Sequence, residues 1–373
     1  MTSGPNILVF NAGSSSLKFA LVHMGDGPRL LLTGSAEDIG EPGGRISAYD
    51  RSGGNIFSEQ ETFASIDHAA RRAIALLGQF DCPPPEVVAH RFVHGGRHLT
   101  DHAIIDDAVI NHLAEGAQFA PQHNPAALAI FNLTKVLFPG LPHVGCLDTV
   151  FHKTMPPLAR HYPLPADFAA RGIVRYGFHG LSCESIVRRL PRPLPSRIVI
   201  AHLGSGCSIT AVRDGVSIDN SMGLTPIGGM MMQTRSGDLD PGLLTYLLHS
   251  EGYTPESLEQ LVSQKSGLLG VSGLSRDLSV LGEMADKSTA AKLAISMFYA
   301  SATKQIAGMI SALSGLDLLI FTGGIGQHHC DIRDHIVSSL NWVGHFETAS
   351  MAPHEEEQIA IHAARLTHCK RAS

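Results

Sequence analysis

The chain has 373 residues, 44% of them hydrophobic and 17% charged, enough for two domains with separate cores. A formal net charge of −6 excludes a sequence-wide basic field for nucleic acid or an anionic membrane, so any anion site must be built from a few placed groups. There is no run of about 18 apolar residues and no basic leader, and the six cysteines form no CxxC pair; these features point to a cytoplasmic, reducing setting without a membrane span.

The chain opens with β-type runs at Ile7–Asn11, Lys18–His23, Leu30–Thr33 and Ile46–Tyr49, separated by glycine-rich turns. A helix follows from Ser65 as N-cap, with Ile66, Ala69, Ala70, Ala73, Ile74 and Leu77 on one face. After Pro83–Pro85, "EVVAHRFVHGG" reads as a buried strand ending in glycines. Asn124 and Pro125 read as N-cap and first residue of a helix to about Phe138, and "HVGCLD" as a strand ending on Asp148. The second half begins the same programme again. Residue 7 set over residue 198 aligns "ILVFNAGSSSLKFALV" with "IVIAHLGSGCSITAVR": strand, polar residue (Asn11, His202), Gly-Ser turn, strand. Further on, "AAKLAISMFYASATKQIAGMISAL" reads as a long buried helix. "LLIFTGGIGQ" is a strand entering a glycine turn, and "CDIRDHIVSSL" continues as helix.

Successive backbone N–H groups in a glycine turn, helped by hydroxyls and a lysine, can hold phosphate. "NAGSSSLK" supplies these groups, although neither a Walker A loop nor a dinucleotide fingerprint is present; read alone, it is equally a polar hairpin turn. The 21 histidines show no HExxH or zinc-finger spacing.

Two facing hairpins and a strand–glycine–helix turn are the phosphate and adenosine elements of the actin/hexokinase/Hsp70-like superfamily. Within it the chain resembles the acetate kinase family, through "NAGSSSLKF", "HRFVHGG", "APQHNP", "LDTVFHKTMP", "RYGFHGLS", "AHLGSGCSITAV", "NSMGLTPIGG", "TRSGDLDPG", "KSGLLGVSGLSRD" and "FTGGIG", in family order over essentially the whole chain. The resemblance implies an α/β fold of two duplicated ribonuclease H-like domains with an interdomain active-site cleft. Residues 1–149 would form an acyl/phosphate domain and 150–354 a nucleotide domain, with a helix at about 355–373 packing back on the first. It also implies transfer of the ATP γ-phosphoryl group to a small carboxylate, with Mg²⁺ or Mn²⁺, in a homodimer.

By the same resemblance, Arg91 and Arg235 would bind the acyl carboxylate and the transferring phosphoryl group. His179 would donate to its equatorial oxygens, with His123 supporting. Asp148 would serve the metal together with Glu355, Glu356 being one register away. Asn11, Ser14, Ser16 and Lys18 would form one phosphate turn, and His202, Gly204, Ser205 and Gly206 the other. Asp277, Ser279, Gly324, Gly326 and His328 would lie on the adenosine side; Val93, Gln122, Phe178 and Pro226 would face the acyl group.

Departures from the family pattern concentrate at the nucleotide side: Ser205 replaces an asparagine, Ser279 an arginine, and "GIGQH", with Gln327 and His328, stands where the family has "GIGEN". Gln122 stands for a leucine, and the segment from Trp342 to Glu355 is short by roughly two strands of ordinary length. Three readings stay open: an acetate kinase, a kinase of propionate or another short acid or with another phosphoryl donor, and a silent nucleotide-binding module.

Overall fold

The computed structural model describes residues 4–13 and 15–371, with nothing taken from the side chains of 370 and 371. It divides into two compact units. The first comprises residues 1–150, 180–185 and 354–373, and the second residues 151–179 and 186–353.

Unit 1 is built on an eight-stranded sheet: β1 Asn6–Ala12, β2 Leu17–Met24, β3 Pro28–Glu37, β4 Arg45–Asp50, β5 Asn55–Gln60, β6 Val87–Phe92, β7 Ala103–Ile104 and β8 His143–Leu147, in the order β5-β4-β3-β2-β1-β6-β8-β7. β1, β6 and β8 run parallel; β1 and β2 form an antiparallel hairpin with Asn11 opposite Lys18. Strand alternation sends Leu8, Phe10, Leu17, Phe19 and Leu21 to one face, where helices Ile66–Gln79 and Asn124–Leu137 pack. Ile7, Val9, Ala20 and Val22 go to the other, covered by Ile359, Ala360, Ala363 and Ala364 of helix Glu355–Arg371. Small alanines on that helix let its backbone lie close to the sheet.

Unit 2 carries a five-stranded sheet: β9 Arg197–Leu203, β10 Cys207–Arg213, β11 Val216–Asn220, β12 Leu318–Thr322 and β13 Glu347–Ser350, in the order β11-β10-β9-β12-β13. β9 pairs antiparallel with β10 and parallel with β12, and β12 parallel with β13. This repeats the β3-β2-β1-β6-β8 order of unit 1, strand for strand and direction for direction. The fold is the α/β ribonuclease H-like arrangement, twice.

Several local expectations change. β3 is longer than Leu30–Thr33, and β5 is an additional edge strand whose mostly exposed residues give no hydrophobic signal. The N-cap of helix Asn124–Leu137 is His123, one residue earlier than expected, and Asn124 is the first helical residue. Its amide is used elsewhere: Oδ1 accepts from the N–H groups of Val93 and His94, and Nδ2 donates to the carbonyls of His94 and Leu113. Helix Thr289–Leu313 is buried on one face only, since Leu293 is 54% and Met297 43% exposed.

Candidate functional site

In unit 1 the ends of three neighbouring parallel strands deliver Asn11, Arg91 and Asp148 to one place. Arg91 lies near the end of β6 and Asp148 immediately follows β8. The guanidinium donates from Nε and Nη2 to both oxygens of Asp148, the closest approach being 2.5 Å, and from Nη1 to Asn11 Oδ1 at 2.8 Å. The first turn of helix Glu355–Arg371 closes the cluster: Asn11 Nδ2 donates to Glu355 Oε2 at 2.8 Å and to Glu356 Oε1 at 2.9 Å. Acidic side chains in a helix's first turn also face the positive end of its dipole.

Asp148 is 1% exposed and Glu355 6%. Burial pushes the Asp148 carboxyl above its ordinary value; Arg91 pulls the other way, and Glu355 adds to the rise. Burial opposes the Arg91 charge, but Asp148, Glu355 and Glu356 together overcome it and raise the guanidinium further. Arg91 is locked in its charged form. The donor set of Asp148, Glu355 and Glu356 is all oxygen, the chemistry that suits a hard divalent cation such as Mg²⁺ or Mn²⁺.

Asn11 therefore stands among carboxylates, tied to Arg91, Glu355 and Glu356. Gly13 N–H donates to the Ser16 carbonyl at 2.8 Å, closing the hairpin turn, and Lys18 is exposed on β2. Ser14 lies outside the described residues. Gln122 and His123 are half-buried at the start of helix Asn124–Leu137, and Val93 is buried beyond β6.

Unit 2 holds a second cluster. His179 has φ 59°, the left-handed region that a non-glycine residue occupies at a cost, and stands as N-cap of helix Gly180–Arg189 without a side-chain cap bond. Its ring stacks on His202 (centroids 4.1 Å apart, planes 13° apart), and Nδ1 lies 2.9 Å from Ser208 Oγ. Arg235 is 8% exposed and donates to the Pro226 carbonyl at 2.9 Å. A Cβ placed on Gly206 would stand 3.2 Å from Arg235 Nη1 and 3.4 Å from His179 Nε2, so both nitrogens border the space that this glycine leaves open. Phe178 is 1% exposed; its carbonyl lies 2.9 Å from His152 Nε2 and accepts from Asn220 Nδ2.

The second phosphate turn closes through Gly204 N–H to the Gly206 carbonyl at 3.2 Å, with Ser205 exposed at its tip. Beyond β12, Gly323 has φ 76°, and a Cβ there would meet the Leu203 carbonyl at 2.5 Å, so only glycine fits. Gly324, Gly326 and His328 lie in the short helix Gly323–His328 that follows. Asp277 caps helix Leu278–Met284 by accepting from the N–H groups of Ser279 and Val280, and Ser279 Oγ lies 3.4 Å from His329 Nε2. Sequence reasoning missed Ser208. The ungapped alignment sets it over Leu17, whereas the strand register makes Lys18 its counterpart, opposite Asn11 as Ser208 is opposite His202.

A third grouping, His102, Glu184 and His362, brings metal-type atoms within 4.8 Å of one another in unit 1. Leu147 N–H donates to His102 Nδ1 at 3.0 Å, which places that ring's proton on Nε2. Neither nitrogen then offers a lone pair, and His362 Nε2 is engaged with Glu184 at 2.8 Å. Glu184 and His362 thus form a hydrogen-bonded pair, against which the His102 ring packs with its centroid 4.0 Å from that of His362.

Among the described residues no helix is long and apolar enough to cross a membrane. The sequence matches the Acetokinase family over residues 6–364. It is 39% identical over 354 residues to the acetate kinase of Methylocella silvestris, covering 91% of this chain and 87% of that one. The structure is similar to those of the Porphyromonas gingivalis acetate kinase (TM-score 0.83, 31% identity, 97% and 100% covered) and of a propionate kinase from Francisella tularensis (TM-score 0.88, 31% identity, 98% and 100% covered). With this match running almost end to end over a duplicated fold, the chain belongs to the acetokinase family, phosphotransferases that use a carboxyl group as acceptor.

Proposed function

We propose that the protein transfers the γ-phosphoryl group of ATP reversibly to acetate, giving acetyl phosphate and ADP. The observation that supports this reading most strongly is the unit 1 network: one buried arginine and three carboxylates drawn together from β1, β6, β8 and helix Glu355–Arg371. A silent binding module has no need of it.

The physical problem is to bring two anions together. Arg91 uses three of its five N–H donors on Asp148 and Asn11, leaving two for an incoming carboxylate. Asp148, Glu355 and Glu356 would hold Mg²⁺ or Mn²⁺, which when bound offsets charge on the triphosphate. In unit 2, Arg235 and His179 supply a fixed cation and a ring nitrogen to the transferring phosphoryl group, while the Gly204–Gly206 turn supplies backbone donors. Arg235 is held in place by the Pro226 carbonyl and His179 by the His202 ring, so little reorganisation accompanies transfer.

A homodimer belongs to the same proposal, with exposed Leu243, Tyr246, Leu293 and Met297 leaving apolar surface in unit 2. So does a cytoplasmic location, which suits six cysteines that form no disulfide. Propionate is the second reading, supported by the similarity to the Francisella propionate kinase and by Gln122. A hydroxamate assay with ATP, Mg²⁺ and a series of short carboxylates tests all of this. Acyl phosphate formation with the highest kcat/KM for acetate is expected; no product from any acid would overturn the reading.

A further inference from the structure

We infer that Ser208 is a positioning residue that holds His179 as the Nε2–H tautomer, with its donor turned toward Arg235 and the opening at Gly206. The inference rests on the reading of His179 as a donor to the transferring phosphoryl group.

Ser208 is fully buried on β10 and is the cross-strand partner of His202 on β9, so the two side chains share one face of the sheet. His202 stacks on the face of the His179 ring and Ser208 meets its edge at Nδ1. Together they fix the ring's plane and its rotation within that plane. This matters because the His179 backbone occupies a left-handed conformation and spends no side-chain bond on its own helix.

The direction of the Ser208 bond follows from satisfying the hydroxyl. A serine has one hydrogen to give and two lone pairs to offer. Among the described residues, its Oγ meets one hydrogen-bond partner, His179 Nδ1 at 2.9 Å. If Nδ1 carried the ring proton, Ser208 would accept it, and its own O–H would be left buried without an acceptor. If Ser208 donates, only a lone pair goes unused, which costs less. Nδ1 is then the acceptor and the neutral ring carries its proton on Nε2. Nε2 is the nitrogen that shares the Gly206 opening with Arg235 Nη1. An Nδ1–H tautomer would instead present a lone pair to an anionic oxygen and repel it.

By strand register the position equivalent to Ser208 in the first hairpin is Lys18, which pairs with Asn11 as Ser208 pairs with His202. Both hairpins thus carry a polar side chain beside the polar residue near the end of the first strand, and among the described residues the hydrogen-bond partner of the Ser208 hydroxyl is the His179 ring.

The test begins with the unsubstituted protein carrying ¹⁵N-labelled histidine, with long-range proton–nitrogen correlation spectra and His179→Gln to assign the His179 signals. The expected pattern is an unprotonated Nδ1 and a protonated Nε2; an Nδ1-protonated ring would overturn the inference without need of any Ser208 variant. Ser208→Ala is then expected to lower kcat about tenfold, with KM for acetate and for ATP within about twofold. It should also blur the single-tautomer signature, and Ser208→Thr, which keeps the hydroxyl, should retain the parent spectrum. If His179→Gln abolishes turnover while Ser208→Ala changes neither kcat nor the spectrum, Ser208 does not position the ring. If His179→Gln itself keeps the parent kcat, the donor reading of His179 falls, and the positioning role falls with it.

Discussion

Arg91 and Asp148 make a pair in which each side chain makes the other tolerable. With Asp148 at 1% and the Arg91 side chain at 13% exposure, removal of the arginine leaves a desolvated carboxylate beside Glu355. Arg91→Ala is therefore expected to abolish turnover and also to destabilise unit 1, by about 3–5 kcal/mol. Denaturant unfolding of the variant checks the second part; an unchanged midpoint would mean that Arg91 serves only the substrate. This double role was not legible in the motif "HRFVHGG", which marks the arginine and not its partner. Asp148 was legible as a polar residue ending an apolar strand. That Asn11 spans Arg91 and two glutamates some 344 positions away was not, because no local pattern encodes a contact of that range. On the nucleotide side, Ser279 offers a small hydroxyl near His329, where the family pattern has a planar cation able to stack on a purine. ATP and GTP should then be used at similar kcat/KM by the parent, and Ser279→Arg should favour ATP. A strong ATP preference in the parent would overturn this.

At the level of elements, helix Glu355–Arg371 joins packing to chemistry. Its alanine-rich face closes the core over β1, β2, β6 and β8, and its first turn delivers the glutamates to Asn11. Ile359 is fully buried there, and its carbonyl receives the Cys146 thiol at 3.7 Å. Ile359→Ala should cost about 2–5 kcal/mol of stability and weaken divalent-metal dependence in the same variant. A metal titration unaffected despite the lost stability would separate the two roles. Hairpins β1–β2 and β9–β10 were readable because a strand's period of two and a Gly-Ser turn are both local signals. β5 was not: its half-wet residues alternate nothing, and only pairing with β4 makes it a strand. The cap at His123 was missed for a related reason, since Asn124 has the residue type of a cap while its amide is consumed by the loop at Val93–His94.

Across the whole molecule, buried histidines set the acid limit. Burial brings His94, His143 and His152 each down to about 4, His143 also feeling Lys135, and holds His90 well below its ordinary value. His90 and His143 lie 3.1 Å apart with stacked rings, so a proton on His90 is disfavoured first by burial and then by repulsion from His143. An unfolded histidine titrates at about 6.5, so between there and about 4 the unfolded chain binds more protons than the folded one. Stability contributed by these groups is complete above about pH 6.5 and is lost as pH falls through about 4, at up to about 1.4 kcal/mol per pH unit for each histidine. Melting temperature measured from pH 7 to 4.5 should fall steadily, and His143→Phe should flatten the slope; a profile level down to pH 5 would contradict this.

Helix Glu355–Arg371 belongs to a unit whose strands end at Leu147, so synthesis separates the sheet of unit 1 from its cover. At ribosomal speeds the intervening stretch of about 200 residues takes roughly ten to forty seconds to emerge. During that interval Ile7, Val9, Val22, Val87 and Val144 lack the cover that Ile359, Ala360, Ala363 and Ala364 give them in the folded protein. The nascent chain thus offers chaperones a long-lived hydrophobic surface, which a circular permutant beginning at His354 would shorten.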